Sequence, residues 1–140
     1  MLRGGHCIRT WSSTQKSVSL SSGEAELVAV VKISGELIGL AQLLHDWGHE
    51  VTGSVYVDSS AALGTVRRKG NGKMRHVRVG HLWIQELAEE GLMSYMKVLG
   101  TENPADLMTK PLSWGVIEKR LLFIGLEMRT GTADSGLATL

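Results

Sequence analysis

The chain has 140 residues, of which 43% are hydrophobic, enough for one domain with a real core and too few for two comfortable ones. With 15 Lys and Arg residues against 14 Asp and Glu, the formal charge is +1, so overall charge excludes no partner class and only local clusters can favour a polyanion. The lone Cys7 excludes an internal disulfide, and a reducing, intracellular setting is expected. We expect one domain over residues 1–128 and a flexible tail over 129–140, where Gly, Thr, Ala and Ser dominate.

The chain begins with two short β-prone runs, His6–Trp11 and Lys16–Ser21. The polar residues 12–15 separate them, and this pattern predicts an antiparallel hairpin. A long apolar helix follows and is expected to end near Trp47, because Gly48 is a suitable residue for the position after a helix. Its apolar residues occur on several sides, which predicts a buried core helix and not a membrane span.

Two acids lie at the start of this helix. Ser21 is the predicted N-cap, and Glu24 stands three residues later, where it completes a capping box. Glu26 has no such local role. It shares a helix face with apolar residues at helical spacing, namely Val30, Ile33, Leu37, Ala41 and Leu44. The face through Glu24 is also mostly apolar, so only the capping box separates the two acids. The alternative is a pair of first-turn acids that complement the helix dipole.

The remaining elements alternate between strands and helices. The run Ser54–Asp58 is typical of a buried strand whose last side chain, an acid, emerges at the carboxyl edge of the sheet. The predicted elements after it are a helix capped by Ser59 or Ser60 and running through Val66, a helix over Val77–Glu90, a strand over Leu92–Leu99, a short Asn103-capped helix through Met108, and a helix over Trp114–Met128. This order predicts an α/β fold with mixed strand directions.

Three acids stand out by position: Glu26, Asp58 and Asp106, which falls in the first turn of the Asn103-capped helix. Carboxylates from separate elements can share Mg²⁺ ions, and two such ions about 4 Å apart can clamp the attacking and leaving oxygens of a phosphodiester. From spacing alone this pattern is weak, because any domain carries acids near the ends of its elements.

Four blocks of sequence, taken together, resemble the ribonuclease H domain of copia-type LTR retrotransposon Pol polyproteins. They are Trp11-Ser12-Ser13, Ser19-Leu20-Ser21-Ser22-x-Glu24-Ala25-Glu26, Asp58-x-x-Ala61, and Asn103-x-Ala105-Asp106-x-x-Thr109-Lys110-x-Leu112. They occur in the family's order between about His6 and Leu112, which makes the match more specific than any single block. The resemblance implies a ribonuclease H-like mixed sheet flanked by helices. It also implies a hydrolase that cleaves the RNA strand of RNA·DNA hybrids during reverse transcription, with four carboxylates and two Mg²⁺ ions.

By the same resemblance, Glu26, Asp58 and Asp106 are the catalytic residues and metal ligands. The family's first strand, which carries an Asp that bridges both ions, has no counterpart here, since only Met1–Gly5 precede the first predicted strand. We therefore expect the fold to lack its first, central strand and the 140-residue chain alone to show little or no cleavage. The alternative is a catalytically dead retroelement remnant that binds nucleic acid or a protein.

Basic residues cluster between the second and third predicted helices: Arg67, Arg68, Lys73, Arg75, His76 and Arg78. Such residues suit contacts to a phosphate backbone, which position a duplex without reading its sequence. A solvated basic loop fits the sequence equally well, and the resemblance favours nucleic-acid binding. It implies an RNA·DNA hybrid and the upstream reverse transcriptase part of a polyprotein as partners, in the cytoplasm or nucleus within a retroelement particle.

Overall fold

The computed structural model describes residues 1–15, 19, 21–70 and 79–128, and it is a mixed α/β structure, as predicted. The elements in chain order are β1 (Leu2–Arg3), β2 (His6–Cys7), α1 (Ser22–Asp46), β3 (Gly53–Val57), α2 (Ser60–Arg67), α3 (Val79–Glu89), β4 (Met93–Lys97), two 3₁₀ helices (Gly100–Glu102 and Pro104–Met108) and α4 (Trp114–Phe123). They fall into two compact units. The first unit comprises Met1–Ser13 and the chain from Glu102 onward, and the second comprises Thr14–Thr101. One domain over residues 1–128 stays a prediction, and the predicted tail 129–140 lies outside the described residues.

The second unit is built on a two-stranded parallel sheet. β3 pairs with β4 in the register Gly53↔Met93 to Val57↔Lys97, and the chain between them passes through α2 and α3, the long crossover that parallel strands require. Val55 and Val57 are buried, whereas Tyr56 is 61% exposed. This alternation places one face of the sheet against the helices. The carboxyl ends of both strands therefore lie at the same edge, with Asp58 directly after β3.

The long helix α1 begins and ends where the sequence predicts. The Ser21 hydroxyl accepts a hydrogen bond from the main-chain N–H of Glu24 at 3.2 Å, which is the N-cap contact of a capping box. At the other end, Trp47 is the C-cap and Gly48 adopts a φ of 80°. This left-handed conformation favours glycine and stops the helix.

One face of α1 supplies much of the core of the second unit. Leu27 and Ser34 are fully buried, and Val30 is 4% exposed. α1 packs against α2, α3 and β3 along this face. By length and composition α1 also passes as a membrane span, a test that core helices pass as well. The packing supports a core helix on this one face, whereas Ile38 and Leu43 are 38% and 46% exposed, so the burial predicted on several sides is wrong.

A buried polar contact ties α1 to the sheet. The Ser34 hydroxyl donates to the main-chain oxygen of Val30 at 2.8 Å and lies 2.9 Å from the hydroxyl of Tyr95 on β4. Burial raises the pKa of Tyr95 above its ordinary value of 10.0. The neutral phenol is therefore retained, and the hydroxyls of Ser34 and Tyr95 pair with each other inside the core.

Replacing Leu27 with Ala should lower the free energy of unfolding by about 2–5 kcal/mol, because it removes a fully buried side chain and leaves a cavity between α1 and its neighbours. Leu43→Ala, on the same helix but 46% exposed, should change it by less than about 1 kcal/mol. Urea unfolding of the two variants measures both values. Equal losses would show that α1 does not bury the face described here.

The N-terminal hairpin differs from the predicted one. β2 pairs antiparallel with β1, so His6–Cys7 lie opposite Leu2–Arg3, a pairing that the sequence pattern does not predict. The predicted partner run, Lys16–Ser21, lies mostly outside the described residues. The reason is the turn between β1 and β2, where Gly4 and Gly5 have φ angles of 57° and 82°. Two consecutive glycines supply the positive φ angles that a two-residue hairpin turn needs.

The last helix, α4, is shorter than predicted and ends at Phe123 instead of Met128. Gly125 has a φ of 74°, and a Cβ on this residue would lie 2.8 Å from the main-chain oxygen of Gly5. The main-chain oxygen of Ile124 accepts a hydrogen bond from the N–H of Cys7 at 3.1 Å. Gly125 at the C′ position therefore ends the helix, as Gly48 ends α1: the N–H of Gly125 donates to the main-chain oxygen of Leu122 at 3.1 Å and the N–H of Leu126 to that of Leu121 at 2.9 Å.

Candidate functional site

Two of the predicted acids lie at one end of the second unit, where α1 and α2 both begin. A Cβ on Gly23, in the first turn of α1, would lie 3.2 Å from the Cβ of Ala61 in the first turn of α2. Glu26 follows Gly23 by three residues and so lies on the same side of α1. Asp58 follows β3 and immediately precedes the N-cap of α2. Both acids therefore lie near the same helix–helix contact, Glu26 one turn after Gly23 in α1 and Asp58 three residues before Ala61 at the carboxyl edge of the sheet.

The turn that carries Asp58 is fixed by the start of α2. The Ser59 hydroxyl accepts a hydrogen bond from the N–H of Ala62 at 3.2 Å, and the Ser59 main-chain oxygen accepts from Leu63 at 3.1 Å. The side chain of Asp58 is half-buried, while Glu26 is exposed. Glu24, the acid predicted to cap, is half-buried. Two carboxylates that solvent can reach thus lie at the ends of rigid elements.

A lysine that the sequence analysis did not select lies at the same edge. Lys97 is the last residue of β4 and pairs in register with Val57, the residue before Asp58. Its ammonium group donates hydrogen bonds to the main-chain oxygen of Asp58 and, at 2.8 Å, to the hydroxyl of Ser60. The edge therefore combines two acids with one positioned cation.

The third predicted acid, Asp106, belongs to the first unit. The Asn103 side chain accepts a hydrogen bond from the N–H of Ala105 at 3.1 Å, so Asn103 caps the 3₁₀ helix Pro104–Met108, as predicted for a short helix here. Asp106 is 7% exposed. Its Oδ1 lies 2.8 Å from Lys110 Nζ, and its Oδ2 lies 3.4 Å from Arg120 Nη2. The Arg120 side chain is 7% exposed, so this second ion pair is buried.

The three acids are divided between the units, with Glu26 and Asp58 in the second and Asp106 in the first. Over residues 1–15, 19, 21–70 and 79–128, no three His, Cys, Asp or Glu side chains form a group that could hold a metal ion. The predicted convergence of the three acids stays a prediction. What the structure describes is an acidic edge in one unit and a buried, ion-paired Asp in the other.

The predicted basic surface is described only in part. Arg67 and Arg68 end α2, where Arg67 Nη2 donates to the main-chain oxygen of Tyr95 at 3.3 Å and Arg68 Nη2 donates to the Thr65 hydroxyl at 3.2 Å. They border an open cleft of about 830 Å³ between α2 and α3, which also carries acids of α3. This end of α2 lies about 10 Å from the end that follows Asp58, given a rise of about 1.5 Å per residue. The other predicted basic residues, Lys73, Arg75, His76 and Arg78, lie outside the described residues.

These features define an α/β protein with two carboxylates and a lysine at one sheet edge. Its sequence is 33% identical, over 108 residues and 76% of the chain, to the retrovirus-related Pol polyprotein from transposon TNT 1-94 of Nicotiana tabacum. It is 31% identical, over 113 residues and 78% of the chain, to the retrovirus-related Pol polyproteins from transposons RE1 and RE2 of Arabidopsis thaliana. Homologues of the chain are therefore retrovirus-related Pol polyproteins of copia-type transposons.

The matched region covers 8% of the length of each of these relatives. No protein-family model matches the chain. No solved structure matches it either. The comparisons thus confirm the retrotransposon Pol part of the resemblance, and the α/β architecture described above is compatible with a ribonuclease H-like fold.

Proposed function

We propose that the chain is the ribonuclease H part of a retrotransposon Pol polyprotein and contributes to Mg²⁺-dependent cleavage of the RNA strand in RNA·DNA hybrids. The observation that carries the proposal is the placement of Glu26 and Asp58. They are the two acids that the family resemblance selects on α1 and after β3, and both lie near the contact between the first turns of α1 and α2. The location follows from the proposal: an intracellular retroelement particle, with the reverse transcriptase part of the polyprotein as a neighbour.

The residues at this edge fit a hydrated Mg²⁺ ion. Mg²⁺ takes oxygen ligands, keeps several waters and is usually held by one or two carboxylates together with substrate phosphates. Glu26 and Asp58 provide hard oxygen donors that solvent can reach. Asp106, the third ligand in the proposal, would have to exchange Lys110 for a metal ion, and the 58% exposure of the Lys110 side chain makes this cation the replaceable one.

When bound, Mg²⁺ ions lower the pKa of an attacking water and stabilise charge on the leaving 3′ oxygen. The chain's own residues hold the geometry. Asp58 directly follows β3, which is buried on one face, and Ser59 fixes the turn behind it. Glu26 lies in the second turn of the core helix α1. Placement on rigid elements keeps carboxylates in the positions that phosphodiester cleavage requires.

The test is cleavage of a labelled RNA·DNA hybrid in the presence of Mg²⁺, by the chain and by a longer protein that carries an Asp-bearing strand from one of the matching relatives ahead of Met1. The chain matches three of the four carboxylates that the resemblance implies, so we expect little cleavage by the chain alone and restored cleavage by the longer protein. Hybrid binding without cleavage by both proteins would favour the alternative, a catalytically dead binding module.

The predicted basic surface gives a second test of the same proposal. Replacing both Lys73 and Arg75 with Ala should weaken hybrid binding and lower the slope of log K against log salt by up to about 2, since each lost phosphate contact removes about 1. Fluorescence anisotropy at several salt concentrations measures both quantities. An unchanged slope would assign these residues to solvation alone.

A further inference from the structure

We propose that Lys97 is a phosphate-binding residue of the candidate site, held beside Asp58 so that its charge faces a nucleic-acid backbone. This inference rests on the proposed function and adds a residue that neither the motifs nor the resemblance selected. Lys97 is the last residue of β4 and lies at the edge of the sheet where Asp58 follows β3.

The first step concerns how Lys97 is held. An ammonium group has three N–H donors. Two of them are directed to the main-chain oxygen of Asp58 and to the Ser60 hydroxyl. Both acceptors belong to the turn that joins β3 to α2. The ammonium group therefore has a defined place, although the Lys97 side chain is exposed to solvent.

The second step concerns the charge. Both acceptors are neutral, and in the part of the chain that the structure describes no ion pair includes Lys97. Lys69 and Lys110 differ from Lys97 in this respect, because Lys69 pairs with Glu89 and Lys110 with Asp106. Among the described residues no carboxylate pairs with the Lys97 ammonium group, and one of its three N–H donors remains after these two hydrogen bonds.

The third step concerns the ligand. The ammonium group of Lys97 has one N–H donor left for a ligand and lies next to carboxylates that can bind a divalent ion. Such a group can bind the non-bridging oxygens of a phosphodiester. The interaction is a charge-assisted hydrogen bond to the backbone and carries no sequence preference. Lys97 would therefore orient the phosphate at Asp58, whereas Arg67 and Arg68 lie at the far end of α2.

The experiment measures binding of a short fluorescein-labelled RNA·DNA hybrid to the full 140-residue chain in EDTA, between about 50 and 200 mM NaCl. Lys97→Gln keeps a donor but removes the charge, so it should raise Kd by about 3–10-fold and lower the salt slope by about 1. Lys97→Arg should keep the wild-type slope. Lys119→Gln is the matched control, because it removes one exposed lysine charge from α4 in the other unit and should leave the slope unchanged.

Three results would overturn the inference. Equal slopes for Lys97→Gln and the wild type would show that the ammonium group only stabilises the turn, and an equal loss in Lys119→Gln would show a general effect of net charge. Loss of the slope in Lys97→Arg would show that packing, not charge, is responsible. If the wild-type chain bound no hybrid even at the lowest salt, the proposed function would fail together with the inference, an outcome distinct from the loss of Lys97 alone.

Discussion

Replacing Asp58 with Asn in a protein that cleaves the hybrid, such as the chain extended by an Asp-bearing strand, should lower the cleavage rate by about 10³-fold or more. A metal ligand contributes several kcal/mol to stabilising the transition state, and about 1.4 kcal/mol corresponds to a tenfold change in rate. Asn keeps the size of the side chain but removes the negative charge. The measurement is single-turnover cleavage at saturating protein over a range of Mg²⁺ concentrations.

The pair Glu26 and Glu24 provides the internal control. Both lie in the first turns of α1, and the Ser21 hydroxyl accepts a hydrogen bond from the main-chain N–H of Glu24, which places Glu24 at the third position of the helix, where a capping box has its acid. The role of the Glu24 carboxylate in the cap stays a prediction. Glu26→Gln should therefore cost about as much activity as Asp58→Asn, while Glu24→Gln should keep the rate within about threefold and lose at most a small part of the capping energy. The reverse order would show that the wrong acid of the pair had been placed in the site.

Much of the second unit could be predicted because its signals are local. The cap at Ser21, the stop at Gly48 and the apolar stripe through Val30 and Leu44 are all encoded within a few turns of α1. The stripe faces the core, as expected, although the two fully buried residues of α1, Leu27 and Ser34, lie beside it. A buried serine at this position gives no apolar signal, because its burial depends on the hydroxyl of Tyr95, far away in sequence.

Both differences in the fold trace to glycines whose backbone conformation turns the chain or ends an element. Gly4 and Gly5 form the turn that pairs β1 with β2, although the first predicted strand begins only at His6. Gly125 takes the C′ position of α4 and ends it before Met128, as Gly48 ends α1. Both signals are local, but the pattern of apolar residues that places the elements does not contain them.

In the candidate site, the residues that the sequence pattern does not indicate are those placed by contacts between distant parts of the chain. Asp58 was found because a strand that ends in an acid is a local pattern. Lys97 was missed because it sits within an alternating run as an ordinary polar residue, and only the parallel register places it beside Val57. Arg120 was missed because a basic residue in an amphipathic helix is normally solvated, and here it is buried against Asp106.

Replacing Arg120 with Met should lower the free energy of unfolding of the first unit by about 3 kcal/mol. The change leaves the carboxylate of Asp106 largely buried with Lys110 as its remaining described cation, and removing one partner of a buried ion pair costs about 3–5 kcal/mol. Lys110→Met is the matched control. The Lys110 side chain is 58% exposed, and pairs of that kind contribute about 0.2–1 kcal/mol. Thermal and urea unfolding of both variants measure the difference, and equal losses would contradict a buried pair.

The double variant Asp106→Leu/Arg120→Met then separates the two roles open to Asp106. Removing both charges replaces the pair with apolar groups and should recover most of the stability lost in Arg120→Met, because no charge is left buried alone. If Asp106 is only the anchor of α4, cleavage by the extended protein should recover with stability. If Asp106 is a metal ligand, as proposed, the double variant should be folded and inactive, whereas Arg120→Met should keep cleavage in proportion to its folded fraction. A folded double variant that cleaves at the wild-type rate would remove Asp106 from the catalytic site and leave Glu26 and Asp58 as its acids.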